Sequence, residues 1–179
     1  MSYNTLTIAD ITDSEFNSFY QVYINKCKGK TLSESFQHSL NQWITIGEKI
    51  SSSKLNYAYA VNKWTLAEVL LHLNDAERIF QYRALRFARN DNTSLPGFDE
   101  NNYVVASNAN LRTKISLIEE GRLLRQSTLS LFQHFSTSDL ARIGTASNSQ
   151  MSVRAIGFVI CGHQLHHIDI IKERYLNLI

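Results

Sequence analysis

Three of the six histidines of this 179-residue chain lie within five consecutive positions, at His163, His166 and His167. His163 and His167 are one helical turn apart, so their imidazoles can converge on a single cation from one face of a helix. Zinc in a catalytic site takes three protein ligands and leaves a fourth position for water or substrate. The spacing therefore indicates a metal site that needs one further ligand from elsewhere in the chain.

The helical face on which these histidines lie predicts that two of them are buried. In a helix of about 3.6 residues per turn, the apolar side chains of residues 153–178 form one face of the helix. His163 and His167 lie at the centre of this apolar face, whereas His166 lies at its edge. A buried polar ring without a partner costs about 1–3 kcal/mol. A shared metal ion would satisfy both rings.

His72 is the best candidate for the third ligand. It belongs to a predicted helix that begins with a capping box formed by Thr65 and Glu68. His72 lies to one side of the apolar stripe of that helix, which suits the wall of a cavity between helices. His38 and His134 lie in polar surroundings, so we do not assign them to the site.

Each of these features also has a structural explanation. Histidine pairs at this spacing occur as solvated or structural residues, and His72 alone would be a satisfied core histidine. Cys161 is expected to be a buried, unreactive thiol, and Trp64 a packing anchor. Four charged residues at inward or edge positions could support the ligands or bind an anionic substrate group, or could form structural ion pairs. They are Asp75, Arg83, Arg122 and Arg125.

Composition and charge restrict the function. Eighteen basic and sixteen acidic side chains are scattered along the chain, which predicts no nucleic-acid partner. The arginines at 83, 86 and 89 alternate with core residues and lack aromatic stacking platforms. No segment approaches the about 18 apolar residues of a membrane span, and we recognise no leader sequence. Two cysteines without metal-site spacing are typical of a reduced cytoplasmic protein.

The elements that must position these side chains are predicted to be long helices, because one proline and seven glycines rarely interrupt the chain. Capping residues and apolar periodicity predict helices at residues 12–29, 33–51, 65–89, 110–135 and 152–179. The segment at 91–103, which holds the proline, separates the third helix from the fourth. We find no strand-like alternation. The prediction is an all-α fold: an antiparallel four-helix bundle at 31–179, preceded by a helical arm at 1–30.

Three stretches of the sequence resemble the DinB-like superfamily. They are KWTLAEVLLHLNDAERIFQYRALRFARND, LPGFDENNYV and SVRAIGFVICGHQLHHIDIIKERYL. This group also contains YfiT-type metal-dependent hydrolases and bacterial thiol-dependent S-transferases. The resemblance covers residues 31–179 and implies an up-down-down-up four-helix bundle with a divalent metal, zinc or nickel, held by three histidines at one end.

The resemblance also implies which residues bind the metal. The W-[ST]-x-x-E-x-x-x-H motif of the family is present from Trp64 to His72, and its H-x-x-x-H motif is present as His163 and His167. His166 adds a neighbouring histidine and raises the question of which of the two ligates; the one-turn spacing favours His167.

Three functions follow from such a site. A cation with three neutral ligands keeps its charge and would activate either a thiol or water near neutral pH. The transferase branch implies transfer of a low-molecular-weight thiol such as bacillithiol to an electrophilic small-molecule substrate, which we favour because no H-E-x-x-H glutamate accompanies the histidines. The alternatives are a metal-dependent hydrolase and a non-catalytic, stress-associated metal-binding protein.

The oligomeric state is open at this point. A homodimer is consistent with the resemblance. The aromatic residues of the N-terminal arm could cover either their own bundle or that of a partner chain. They are Phe16, Phe19, Tyr20 and Tyr23.

Overall fold

Four long helices dominate the structure, a computed structural model that describes residues 2–178. The α-helices in chain order are α1 (Gln21–Ile24), α2 (Leu32–Lys49), α3 (Leu66–Ala88), α4 (Glu100–Ala106), α5 (Lys114–Phe132), α6 (Thr137–Ala141) and α7 (Val153–Ile170). Two short strands, β1 (Ile143–Ala146) and β2 (Ser149–Ser152), precede α7. The predicted helices at 33–51, 65–89 and 110–135 correspond to α2, α3 and α5.

The long helices α2, α3, α5 and α7 pack together as a bundle. Helix α3 contacts α5 and α7, and α2 contacts the same two helices. Local capping determines where they begin: Thr31 and Thr65 each accept a hydrogen bond from the backbone of the glutamate three residues later, which completes the capping boxes of α2 and α3. Helix α7 ends at Ile170, and one wider π-helical turn follows it at Ile171–Tyr175.

The prediction of a single N-terminal helix at 12–29 is wrong. The capping box of Thr12 and Glu15 forms, but it encloses only one 3-10 turn. The arm consists of short pieces that follow the surface of the bundle, and its apolar side chains are buried at Leu6, Ile24 and Cys27. Contacts with residues that are distant in the sequence, rather than the local helix signal, therefore determine the path of the arm. The arm is also held by an ion pair, 2.5 Å long, between Glu15 and Arg154 of α7.

The prediction that the chain contains no strands is also wrong. Strands β1 and β2 form an antiparallel hairpin joined by Ser147 and Asn148, whose φ angles are 51° and 58°. Positive φ at both positions is the geometry of a type I′ turn. Four-residue strands are too short for a clear alternation, and a serine rather than a glycine occupies the first left-handed position.

The core is divided by a layer of buried polar side chains. One apolar cluster lies where α2 and α7 begin, and the other lies where these helices end. Between them, Glu77 and Arg125 form a fully buried ion pair. Cys27 and Cys161 are both buried, as the sequence predicts for Cys161. No helix within residues 2–178 is long and apolar enough to cross a bilayer.

Gly162 determines how closely the arm approaches α7. A Cβ at this position would overlap the backbone carbonyl of Tyr23, which cannot rotate away as a side chain can. In Gly162→Ala the arm must move, and this cost should exceed the helix-propensity gain of about 1 kcal/mol. We expect faster cleavage of the arm in limited proteolysis. Gly47→Ala is the matched control, because its Cβ would meet only the Ile118 side chain; equal protection in both variants would contradict the close approach.

Candidate metal centre

Three histidines from two helices converge in the structure. His72 lies on α3, and His163 and His167 lie one turn apart on α7. The Nε2 atoms of His72 and His163 are 3.2 Å apart. One nitrogen from each of the three rings lies within 4.8 Å of the others.

This donor set fits a divalent cation. With Zn–N distances of 2.0–2.1 Å, two ligand nitrogens of a tetrahedral site lie about 3.3 Å apart. The distance of 3.2 Å between His72 Nε2 and His163 Nε2 is close to that value. Imidazole donors suit zinc, nickel and copper alike, so the ligand set does not select among them.

The electrostatics of the cluster keep the rings in their ligand form. Burial lowers the pKa of His72 to about 4. Burial, together with the neighbouring His72 and His166, lowers the pKa of His167 to about 3. Burial first, and the other histidines second, hold the pKa of His163 well below its usual value. All three rings are therefore neutral at pH 7, and neutral imidazole is the form that binds metals.

His166 lies outside this cluster. Its ring is half-buried and lies beside the ring of Tyr23, with 5.3 Å between the centroids. Within residues 2–178, the structure brings together His72, His163 and His167, the three histidines predicted from the sequence. His166 is not part of this group. Their role as ligands stays a prediction.

Aromatic side chains enclose the three histidines. The Trp64 ring lies 4.9 Å from the His72 ring, and the Tyr23 ring lies 5.2 Å from the His163 ring, measured between centroids. A cavity of about 290 Å³ opens over the cluster. Besides the histidines, Trp64 and Tyr23, its lining consists of Phe19, Tyr20, Ala76, Phe80, Arg83, Phe98, Glu100, Asn101 and Ser147. Trp64 is therefore part of the site wall in addition to being a packing residue.

Several of these lining residues were missed by the sequence reasoning. Phe98 comes from the segment between α3 and α4, Glu100 and Asn101 come from the first turn of α4, and Ser147 comes from the tip of the hairpin. The stretch LPGFDENNYV carries the family resemblance and contains the first three, which is the signal that could have identified them. Ser147 has no comparable local signal. The arm residue Tyr20 covers its own bundle, because its ring packs on Phe80.

The four charged residues named from the sequence have different positions. Only Arg83 lines the cavity. Arg125 lies in the core, where it is paired with Glu77. Arg122 and Asp75 form ion pairs with neighbouring residues of their own helices, away from the histidines.

A second cavity adjoins the first. Its volume is about 240 Å³, and it shares Trp64, Asn101 and His167 with the first cavity. Its other walls include Tyr59 and Tyr175. The histidine cluster therefore lies beside two spaces, one on each side of these shared residues.

Comparison with known proteins confirms the resemblance. A family model described as the DinB superfamily matches residues 36–171. No curated protein sequence matches the chain. Among solved structures, YfiT from Bacillus subtilis, described as a probable metal-dependent hydrolase with an unusual four-helix bundle topology, superposes with a TM-score of 0.74. The two share 15% sequence identity, and the match covers 82% of this chain and 85% of YfiT. At that identity the match shows that the helical bundle fold is shared.

Proposed function

The chain belongs to the DinB superfamily, and from this premise we propose that it is a divalent-metal-dependent enzyme acting on a small molecule. The observation that carries the proposal is the convergence of three neutral imidazoles at the floor of a cavity, two of them buried and that of His167 half-buried. A site with three protein ligands and an open side is the arrangement of catalytic rather than structural zinc. We propose His72, His163 and His167 as the ligands and zinc or nickel as the metal.

When bound, the cation supplies positive charge that lowers the pKa of a water or thiol beside it. The side chains around the histidines would exclude water and orient the substrate. Trp64 and Tyr23 exclude bulk water from two sides of the histidines. Glu100 and Asn101 place polar groups at the cavity wall, where they can orient a substrate.

We propose that the reaction is transfer of a low-molecular-weight thiol, of the bacillithiol type, to an electrophile. The two adjoining cavities support a reaction of two substrates, because each can hold one reactant with His167 between them. In this step the thiol loses its proton to solvent and its sulfur forms a bond to the electrophilic carbon. The leaving group departs with the electron pair of the bond that breaks.

Hydrolysis of an amide or ester is the second candidate. The carboxylate of Glu100 lines the same cavity as the three histidines and is a candidate general base for water. YfiT, whose fold the chain shares, is described as a probable metal-dependent hydrolase. These two observations favour hydrolysis more than the sequence alone does, because no glutamate lies beside the histidines in sequence.

One assay distinguishes these reactions. Zinc-loaded and nickel-loaded protein is incubated with 1-chloro-2,4-dinitrobenzene and bacillithiol, or with p-nitrophenyl acetate without thiol. Consumption of thiol that requires both the metal and His72 supports transfer. Ester hydrolysis that requires the metal and falls in Glu100→Gln supports hydrolysis. Turnover of neither class by metal-loaded protein would contradict both and leave the non-catalytic metal-binding function.

We also propose the up-down-down-up order for the four long helices. In this order the second and third long helices, α3 and α5, are parallel. The contacts between α3 and α5 support a parallel arrangement, because both helices advance in the same direction along them. Asn74 donates a hydrogen bond to the carbonyl of Leu117 at 3.0 Å, and Gln81, two turns later, donates to Ser127 at 2.9 Å.

The remaining expectations about partners and location stay predictions. They are the absence of nucleic-acid and membrane partners, a homodimer, and a cytoplasmic location. The division into an arm at 1–30 and a bundle at 31–179 also stays a prediction.

A further inference from the structure

Arg83 is a buried cation at the wall of the metal-site cavity. Only 4% of its surface is exposed, and it lies on α3 on the same side as His72 and Phe80. Buried charges are normally paired with an opposite charge. Arg125 follows this rule, because it forms an ion pair with Glu77. Arg83 has no such ion pair with any residue of 2–178, so its charge is not neutralised within the chain as described.

Neutral groups hold the Arg83 guanidinium in place. Its Nη2 donates to the carbonyl of Pro96 at 3.2 Å and to Ser147 Oγ at 2.9 Å. These bonds fix the orientation of the side chain between the loop that precedes α4 and the tip of the hairpin. The hydroxyl of Tyr20 is a further neutral hydrogen-bond partner of the side chain. Because arginine has five N–H donors in a fixed plane, the guanidinium retains donors for a ligand after these bonds are made.

The charge of Arg83 is maintained despite its burial. Burial lowers the pKa of Arg83, and the nearby Tyr20 and Glu100 raise it in part. An arginine remains protonated in proteins. Glu100 lies in the first turn of α4 with an exposed side chain and makes no ion pair with Arg83, so it can turn towards solvent when a ligand enters.

The distance between Arg83 and the histidines is short enough for one small molecule to reach both. The Phe80 ring lies between them: its centroid is 5.7 Å from Arg83 Cζ and 6.2 Å from the centroid of the His163 ring. One cavity of about 290 Å³ is lined by all three residues. A molecule lying over Phe80 would therefore contact the guanidinium with one end and approach the histidines with the other.

We propose that Arg83 binds an anionic group of the substrate, a carboxylate or a phosphate, and thereby positions the reacting end at His72, His163 and His167. This inference rests on the proposed function for the identity of the reacting end. Nε and Nη1 are not used by Pro96 or Ser147, and a guanidinium forms charge-assisted hydrogen bonds with both kinds of anion. The proposed substrate class is thus an anionic small molecule, and not a neutral or cationic one.

The test uses metal-free protein, so that it does not depend on the metal. The full chain is treated with a chelator and titrated with succinate, inorganic phosphate and the neutral analogue succinamide. Binding is followed by tryptophan fluorescence, because Trp64 lines the cavity. We expect succinate or phosphate to bind and succinamide not to bind. The preference between the two anions indicates which group the substrate carries.

Variants establish whether Arg83 is responsible. Arg83→Met should weaken anion binding by at least about tenfold, and Arg83→Lys should restore part of it. Glu100→Gln should strengthen binding, because it removes a competing negative charge. Ser147→Gly, which removes only a neutral partner of Arg83 at a position of positive φ, should retain binding. Arg122→Met, on the surface, is the matched control.

Several outcomes would overturn the inference. These are no binding of either anion by the parent protein, equal binding of succinate and succinamide, and equal binding by the parent and Arg83→Met. If Arg83→Met does not fold, an unchanged affinity in Glu100→Gln overturns it instead. Zinc uptake is measured separately: protein that binds the anion through Arg83 but takes up no metal contradicts the proposed function and leaves the anion site in place.

Discussion

His72→Ala, His163→Ala and His167→Ala should each lower the affinity for zinc by at least about a hundredfold, because loss of even a residue that supports a ligand costs 10–100-fold. The three ring nitrogens lie within 4.8 Å of one another, so removal of one leaves an incomplete site. Activity should fall with metal content in the same variants. The folded state should persist, since within residues 2–178 the side chains of these three histidines make no hydrogen bond other than the contact between His72 and His163.

His166→Ala is the matched control for these substitutions. It removes a histidine from the same helix whose ring lies outside the cluster. Metal content of untagged protein is measured by mass spectrometry, and circular dichroism verifies that each variant is folded. Retention of about one equivalent of metal in His166→Ala and its loss in His167→Ala would establish which neighbour ligates. The reverse pattern would assign His166, and a parent protein that binds neither zinc nor nickel after reconstitution would exclude the metal site.

Arg125→Met should lower the free energy of unfolding by about 3–5 kcal/mol, the cost of breaking a buried ion pair from one side. Arg125 is fully buried, and its Nε and Nη2 donate to the two oxygens of Glu77 at 2.8 and 3.0 Å. Thr128 donates to the same carboxylate at 2.8 Å. Without the arginine, the Glu77 carboxylate is left buried with only a hydroxyl partner.

The double variant Glu77→Gln/Arg125→Met separates the charge effect from packing. Replacing both members of a buried pair is often neutral or stabilising, so the double variant should recover much of the loss. Urea denaturation measures both, and Arg122→Met serves as the control, since its surface ion pair contributes about 0–1 kcal/mol. If Arg125→Met lowers the free energy of unfolding no more than Arg122→Met does, the ion pair of Glu77 and Arg125 is not important for stability.

The sequence alone determined the long helices and the identity of the clustered histidines. Helix periodicity and capping depend on residues within about four positions of each other, so the starts of α2 and α3 at Thr31 and Thr65 follow from local residues. The spacing of His163 and His167 on one helix is likewise local. The position of His72 beside the apolar stripe of its own helix suggested the third ligand, and the family resemblance then supported that choice.

Only the tertiary structure decided what surrounds these histidines. The arm does not form the continuous helix that its local sequence favours, and its path follows contacts with distant residues, such as the ion pair of Glu15 with Arg154 and the approach of Tyr23 to Gly162. The hairpin depends on positive φ at Ser147, which no glycine signals. Arg83 faces the cavity because Pro96 and Ser147 hold it there. Contacts between residues distant in sequence have no periodic or local signature, so the walls of the site and its unpaired cation emerge only when the chain is folded.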